Sequence, residues 1–186
     1  MKLYPYITNA RQRWLRKPFA SRRDHAWLIN PDSLTARLQK RYAQFAVQTQ
    51  SMRLAIAMPD EIGLLKLKPK QLATVREVTL MGNQQAVVFA HSVIPRRALR
   101  GRWHRLARLG NQPLGALLFA NPQVKRTPLR YKKLSRQHRL YQKAVAHLQH
   151  APTHLWARRS VFYLNCASIS LATILVTEVF LPQLYE

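Results

Sequence analysis

Acidic residues are scarce in this chain of 186 residues. It contains 7 Asp and Glu against 31 Lys and Arg, which gives a formal net charge of +24 at pH 7. So strong a positive charge attracts nucleic acid, anionic surfaces and anionic small molecules alike, and therefore does not identify a partner. The scarcity makes each carboxylate informative, because an acid placed among apolar residues needs a counter-charge or a task.

Cysteine and glycine are also rare. The single cysteine, Cys166, excludes an internal disulfide and is compatible with a reducing cytoplasm. It lies in an apolar stretch, so we expect a packed thiol and not a nucleophile. With 5 Gly and no repeat or low-complexity tract, residues 1–186 are expected to form one globular domain.

The sequence shows no pattern of a secretion signal or a membrane-spanning helix. Residues 1–5 lack the apolar core of a signal peptide. The most apolar stretch, residues 161–181, is interrupted by Asn165 and Glu178, so its uncharged part is shorter than the roughly 20 residues that a spanning helix needs. We therefore expect a cytoplasmic protein in which this stretch forms β-strands.

Motifs for cofactors and covalent catalysis are missing as well. The sequence has no P-loop, dinucleotide-binding fingerprint, nucleophile elbow or CxxC pair. His147, His150 and His154 have a spacing that invites a metal site, but Pro152 breaks the helix that would align them. The sequence therefore predicts no cofactor and no metal, and a small-molecule site built from the protein's own groups.

The elements that are present predict an α+β fold with a single antiparallel β-sheet. Residues 51–57, 73–81 and 86–94 have the pattern of strands, and the turn signal Gly82-Asn83 joins the last two as a hairpin. Residues 156–164 and the segment around Glu178 supply further strands. Asp32-Ser33 is predicted to cap an amphipathic helix of about three turns that reaches Phe45.

Two more helices are predicted between the strands. One begins after Pro95 and ends at Gly110, a typical C-terminal cap. The other begins with Pro113 as its first residue. Because Pro113 has no N–H, the N–H of Leu114 is the natural donor for an anion at the start of this helix.

The basic residues cluster outside the predicted strands. Residues 1–23 hold 7 of them and residues 125–143 hold 8, so we interpret residues 1–23 as a basic N-terminal extension and residues 122–152 as a long basic connection. Tyr131 and Tyr141 lie among the cations of the connection. Nucleic-acid binding is therefore an alternative to a solvated surface, although no RNA-binding fingerprint or recognition helix is present.

Two charged residues lie on apolar faces of predicted strands. Because alternate residues of a strand share a face, Arg76 points the same way as Val78 and Leu80, and Glu178 the same way as Val176. One interpretation is a structural salt bridge between neighbouring strands. The other is that the two are held apart and bind the two ends of a polar ligand, with Arg76 gripping a carboxylate and Glu178 accepting a hydrogen bond from a hydroxyl.

Six segments, in this order and spacing, resemble the chorismate pyruvate-lyase family, which makes 4-hydroxybenzoate for ubiquinone. They are residues 32–38 (DSLTARL), 75–80 (VREVTL), 87–95 (VVFAHSVIP), 109–119 (LGNQPLGALLF), 156–160 (WARRS) and 175–182 (LVTEVFLP). The resemblance covers most of the chain from about residue 25. It implies helices that pack on the sheet as flaps over an internal ligand site.

The resemblance also implies a function and its residues. The chain would be a cofactor-independent lyase that converts chorismate to 4-hydroxybenzoate and pyruvate, the first committed step of ubiquinone biosynthesis. Arg76 and Glu178 would be catalytic. Arg76 and the N–H of Leu114 would bind the ring carboxylate, Glu178 would meet the hydroxyl at the far end of the ring, and the backbone near Leu34 would close the pocket.

Two other classes of protein stay open at this point. The ligand-binding domains of some bacterial transcription regulators resemble the same fold, and such a domain would bind a small acid without catalysis. A basic protein associated with nucleic acid is the third class. For the lyase we expect a monomer that binds chorismate and 4-hydroxybenzoate, no specific nucleic-acid partner and, from its charge, weak association with anionic membrane surfaces.

Overall fold

The structure, a computed structural model, describes residues 13–100, 103, 104, 106, 109–146, 148–164 and 173–186. Within them the chain forms one sheet of 7 strands in which all pairings are antiparallel. The predicted α+β class with a single antiparallel sheet is confirmed. Cys166, His147 and the first part of the predicted basic extension lie outside the described residues.

The strands follow the order β1-β2-β3-β7-β6-β4, and β5 also pairs with β6. They are β1 (Phe45–Ile56), β2 (Leu72–Gly82), β3 (Gln85–Pro95), β4 (Val124–Arg126), β5 (Arg130–Ser135), β6 (His154–Leu164) and β7 (Thr173–Phe180). The helices are α1 (Arg22–Leu28), α2 (Leu34–Arg41), α3 (Pro59–Ile62), α4 (Arg96–Arg100), α5 (Leu114–Ala120) and α6 (Arg139–Ala144), followed by a 3-10 helix (Pro182–Tyr185). None of the described helices has the length and apolar character needed to span a membrane.

The hairpin of β2 and β3 forms where the turn signal predicted it. Its two central residues are Asn83 and Gln84, with φ angles of 46° and 68°. Positive φ at both positions is typical of the type I′ turn, whose twist matches that of the flanking strands. Gly82 ends β2 because the ring of Tyr42 packs on it: a Cβ at this position would lie 2.5 Å from the ring.

The helix predicted after Asp32 is shorter than expected. The Ser33 hydroxyl caps α2 by accepting a hydrogen bond from the Ala36 N–H, but the helix ends at Arg41 and the backbone of Tyr42 is extended. Phe45 therefore begins β1 instead of closing the helix. This strand is one edge of the sheet, and many of its side chains are exposed.

The segment predicted as a basic connection belongs to the sheet. It contributes β4 and β5, which both pair with β6, and then α6. Its cations conceal the strand pattern, because Lys132 shares a face with Leu134 and is itself buried. The basic connection predicted over residues 122–152 thus contains two strands and a helix.

Helices cover both faces of the sheet. The first face carries Val78, Val88, Phe162 and Phe180 and packs against α1, α2 and α5. The second face packs against α3 with the chain that follows it, and against α6. It carries Phe89, Val93, Val161, Leu175 and Val179.

A buried network of charges lies on the second face. The His91 Nδ1 atom lies 3.0 Å from Glu77 Oε1, its Nε2 atom lies 3.2 Å from Glu61 Oε1, and Lys143 also pairs with Glu77. Burial opposes the ionisation of Glu77, but hydrogen bonds from His91 and Lys143 outweigh it and lower the pKa of Glu77 to about 2. The ionised carboxylate therefore stabilises the folded state.

We expect the ionised Glu77 to contribute stability that is lost in acid. A carboxyl with a lowered pKa in the folded state adds stability above its unfolded pKa, and that stability is lost as the pH falls through the folded-state value. A pKa lowered from 4.5 to about 2 corresponds to roughly 3 kcal/mol at neutral pH. In urea unfolding, Glu77→Gln should lose stability of this order at neutral pH, and the loss should shrink in acid. Glu186→Gln, at an exposed carboxylate, is the control, and a loss independent of pH would contradict the expectation.

Candidate active site

A cavity of about 40 Å³ lies on the first face, between two hydrophobic clusters. Strands β2, β3 and β7 form its floor, and α2 and α5 form its roof. The four residues predicted to form the site, Leu34, Arg76, Leu114 and Glu178, all line this cavity. The structure thus brings them together, and the roles given to them stay predictions.

Arg76 lies at one end of the floor and is 2% exposed. Its Nη2 atom donates to the carbonyl oxygens of Gly110 and Gln112, both at 2.9 Å, while its buried Nε–H has no acceptor among the described residues. No described carboxylate forms an ion pair with it. Burial lowers the pKa of Arg76 to about 10, as expected of a cation removed from water without a counter-charge. This cation is therefore poised to bind an anion.

The loop that Arg76 holds leads directly into α5. Pro113 is the N-cap of this helix and Leu114 its first residue, one position later than predicted. The N–H of a first helical residue has no acceptor within the helix, so the N–H of Leu114 is available to a ligand. Because Arg76 binds the carbonyl groups of Gly110 and Gln112, the guanidinium and this N–H belong to one end of the cavity.

Glu178 lies on β7, opposite Arg158 of β6 in the register of the two strands. The Nε–H of Arg158 donates to Glu178 Oε2 at 2.5 Å, and its Nη1 atom donates to the carbonyl oxygens of Trp27 and Asn30. The Arg158 side chain is 1% exposed and that of Glu178 is 19% exposed. Glu178 is therefore paired with Arg158 and not with Arg76, which excludes the structural salt bridge considered from the sequence.

Arg76 and Glu178 are separated by the width of two strand spacings. Arg76 lies opposite Ser92, which lies opposite Val176, and Glu178 follows two residues later. With ordinary strand dimensions this offset places their Cα atoms roughly 12 Å apart. Between them the floor is lined by small and apolar side chains that include Ala90 and Val176. The site thus has a cation at one end and a carboxylate at the other, with small and apolar side chains between them.

The two roof helices are in close contact. A Cβ at Gly115 of α5 would lie 3.0 Å from Thr35 Oγ1 of α2, so only glycine permits this approach without displacement. A cavity of about 40 Å³ is far smaller than the roughly 300–1,000 Å³ typical of small-molecule sites. The cavity is therefore smaller than a substituted aromatic ring requires.

Arg158 is the site residue that the sequence reasoning did not identify. It fixes one oxygen of the Glu178 carboxylate and ties β6 to the chain after α1. No group of three or more possible metal ligands occurs within the described part of the chain, which does not include His147. The cavity, its two charged residues and its roof helices form one candidate site.

Comparisons with known proteins agree with a single family. A model of the family described as chorismate lyase matches residues 11–186. A protein from Nitrosospira multiformis named probable chorismate pyruvate-lyase is 48% identical over 167 residues, which span 89% of this chain and 90% of that protein. A protein of the same name from Methylobacillus flagellatus is 46% identical over 178 residues, which span 95% of this chain and 96% of that protein.

Solved structures of similar fold come from another functional class. The effector domain of PhnF from Mycobacterium smegmatis has a TM-score of 0.57 at 15% identity, with 82% of this chain and 90% of that chain covered. A transcriptional regulator of the GntR family from Bacillus cereus has a TM-score of 0.54 at 11% identity, with 77% and 96% covered. At such low identity these structures show the fold alone.

Proposed function

This chain belongs to the chorismate lyase family, and we propose that it converts chorismate to 4-hydroxybenzoate and pyruvate, the first committed step of ubiquinone biosynthesis. The observation that carries the site assignment is the buried guanidinium of Arg76, which lines the cavity and has no carboxylate partner within the described residues. The ring carboxylate of the substrate supplies the missing charge.

The reaction requires little covalent chemistry from the protein. The ring carbon that bears the hydroxyl loses its hydrogen as a proton, and the electrons of that bond complete the aromatic ring. The ether bond between the ring and the enolpyruvyl group breaks at the same time. The leaving enolate takes up a proton and becomes pyruvate, so atoms and charge balance. Orientation and electrostatic fit are the contributions that a binding site makes to such a step.

Each predicted residue has a separate task in this proposal. Arg76 and the N–H of Leu114 bind the ring carboxylate, and Glu178 accepts a hydrogen bond from the ring hydroxyl at the far end. Arg158 orients the Glu178 carboxylate through the hydrogen bond that its Nε–H donates. Leu34, on α2, closes the roof above the ring.

The direct test is incubation of the purified protein with chorismate while the absorbance of 4-hydroxybenzoate is followed and pyruvate is measured independently. The proposal predicts that the two products appear in equal amounts. A flat trace together with tight binding of 4-hydroxybenzoate would instead identify a non-catalytic binding domain. Formation of pyruvate with a different aromatic product would contradict the assignment of the elimination step.

The N–H of Leu114 can be tested by a substitution that removes it, with a second variant to control for the loss of the buried side chain. Proline is tolerated at the first position of a helix, and the extended backbone of the preceding Pro113 (φ −70°, ψ 117°) is the conformation favoured before a proline. We expect Leu114→Pro to lower kcat/KM by about 10²-fold through the loss of one donor to an anion. Leu114→Val, which keeps the N–H, should lower it far less; equal losses in the two variants would show that only the side chain matters.

A further inference from the structure

A groove of about 1000 Å³ lies on the second face of the sheet, on the opposite side from the candidate active site. Val161 of β6 and Leu175 of β7 form part of its floor, and both are buried. Leu65, which follows α3, and Leu15 contribute further apolar walls. Its volume is at the upper end of the range of roughly 300–1,000 Å³ for sites that bind small molecules.

The charged side chains that line the groove, among the described residues, are all cations, and none is Asp or Glu. They are Arg13, Arg16, Lys66, Arg130 and Arg159. A concave surface with charges of one sign and low-dielectric walls concentrates the electric field and attracts a counter-ion. The groove therefore combines an apolar floor with a strong positive potential.

Two of these cations lie directly opposite each other. Arg130 of β5 and Arg159 of β6 are partners in the strand register, and like charges in this position repel. Asp60 neutralises Arg159 in part, with Asp60 Oδ2 2.7 Å from the Arg159 Nη1 atom, but no described carboxylate forms an ion pair with Arg130. An anion bound beside the pair would relieve this repulsion.

Arg159 also carries an unsatisfied donor. The residue is 8% exposed, and its guanidinium stacks 4.0 Å from the centre of the Trp14 ring. Its buried Nε–H has no acceptor among the described residues. A buried donor without an acceptor costs free energy that a bound acceptor would recover. This donor belongs to a residue that lines the basic groove.

We propose that this groove binds a single anionic amphiphile, with its carboxylate or phosphate beside Arg159 and Arg130 and its alkyl or aryl body along Val161 and Leu175. A concave site with buried floor residues admits one molecule and not the surface of a bilayer. A nucleic-acid backbone would satisfy the cations but would leave the apolar floor unused. The site lies on the face opposite the proposed lyase site and does not depend on the reaction assigned there.

The test uses decanoate below its micellar concentration as the probe, with binding measured by calorimetry and by quenching of tryptophan fluorescence. Decanol, which has the same chain without the charge, and inorganic phosphate, which has charge without the chain, are the two partial probes. We expect saturable binding of decanoate, and at least about tenfold weaker binding of either partial probe. Saturable binding of decanoate that is no tighter than that of phosphate would overturn the proposal in favour of a simple anion site.

Two double variants distinguish the effect of the groove cations on binding from the effect of the net charge. Lys66→Asn combined with Arg130→Gln removes two groove cations, and asparagine tolerates the positive φ of 49° at position 66. Lys68→Asn combined with Arg53→Gln removes the same charge from exposed positions that do not line the groove. We expect the groove variant to weaken decanoate binding by about tenfold or more and the control to leave it nearly unchanged.

Three further results would overturn the proposal. Equal weakening in both double variants would show that decanoate responds only to net charge. Binding of vesicles that contain phosphatidylglycerol, without binding of monomeric decanoate, would identify a membrane surface instead. The absence of decanoate binding in a folded and catalytically active protein would leave the lyase assignment intact and reject the groove alone.

Discussion

Arg76→Ala is expected to abolish the turnover of chorismate while the protein stays folded. The substitution removes the buried cation that lines the cavity and has no carboxylate partner within the described residues, so the ring carboxylate loses its counter-charge. Donors of this kind contribute about 10²–10³ each, and the substitution also releases the loop that presents the Leu114 N–H. We therefore expect kcat/KM to fall by at least about 10³-fold, equivalent to roughly 4 kcal/mol.

Folding should tolerate this substitution. The lost hydrogen bonds to the carbonyl oxygens of Gly110 and Gln112 are offset in part because a cation no longer has to be buried without a counter-charge. Arg76→Lys should retain the charge but not the paired donors, and so should recover only part of the activity. Arg53→Ala, at an exposed position of β1, is the control for the loss of one positive charge.

Steady-state kinetics measures the expected fall in kcat/KM, and calorimetric titration measures the affinity for 4-hydroxybenzoate. The affinity for 4-hydroxybenzoate should fall with kcat/KM, because the product carries the same ring carboxylate. If Arg76→Ala turned over chorismate within a few-fold of the unchanged protein, the carboxylate would have to bind elsewhere. The cavity of the first face would then lose its assignment.

Local patterns in the sequence were sufficient to find three of the four predicted site residues. Arg76 interrupts the apolar face of a strand, as Glu178 does, and the alternation of strand residues gives their direction. Leu114 is identified by the proline before it. Leu34 came only with the resemblance to the family. All four residues line one cavity. The face on which a strand residue lies and the first residue of a helix after a proline were therefore predictable from the sequence.

The pairing of the charges was not predictable from local patterns. Glu178 meets Arg158 because β7 lies between β3 and β6, an order that brings together segments distant in the chain. The sequence did hold one signal. Two consecutive arginines in a buried strand must point to opposite faces, and Arg158 and Arg159 do so, one beside Glu178 and the other beside Asp60. The same rule separates Arg76 from Glu77, which belongs to the network on the second face.

Glu178→Gln is expected to lower kcat/KM by about 10²–10³-fold, since it removes the charge at the far end of the ring while it preserves the shape of the side chain. The amide can still accept a hydrogen bond from the ring hydroxyl, so the affinity for 4-hydroxybenzoate should fall much less than kcat/KM. This divergence distinguishes a charge needed in the transition state from one needed only for binding. A parallel fall in both quantities would assign Glu178 to binding alone.

The same substitution leaves Arg158 as a buried cation without its partner, so the effect on stability must be separated from the effect on catalysis. Removal of one member of a buried pair typically costs about 3–5 kcal/mol, and thermal unfolding should show a loss in this direction. Arg158→Met combined with Glu178→Gln removes both charges and should recover part of the stability but none of the activity. If activity returned together with stability in the double variant, Glu178 would act only by holding Arg158, and the acid at the far end of the cavity would have no part in the reaction.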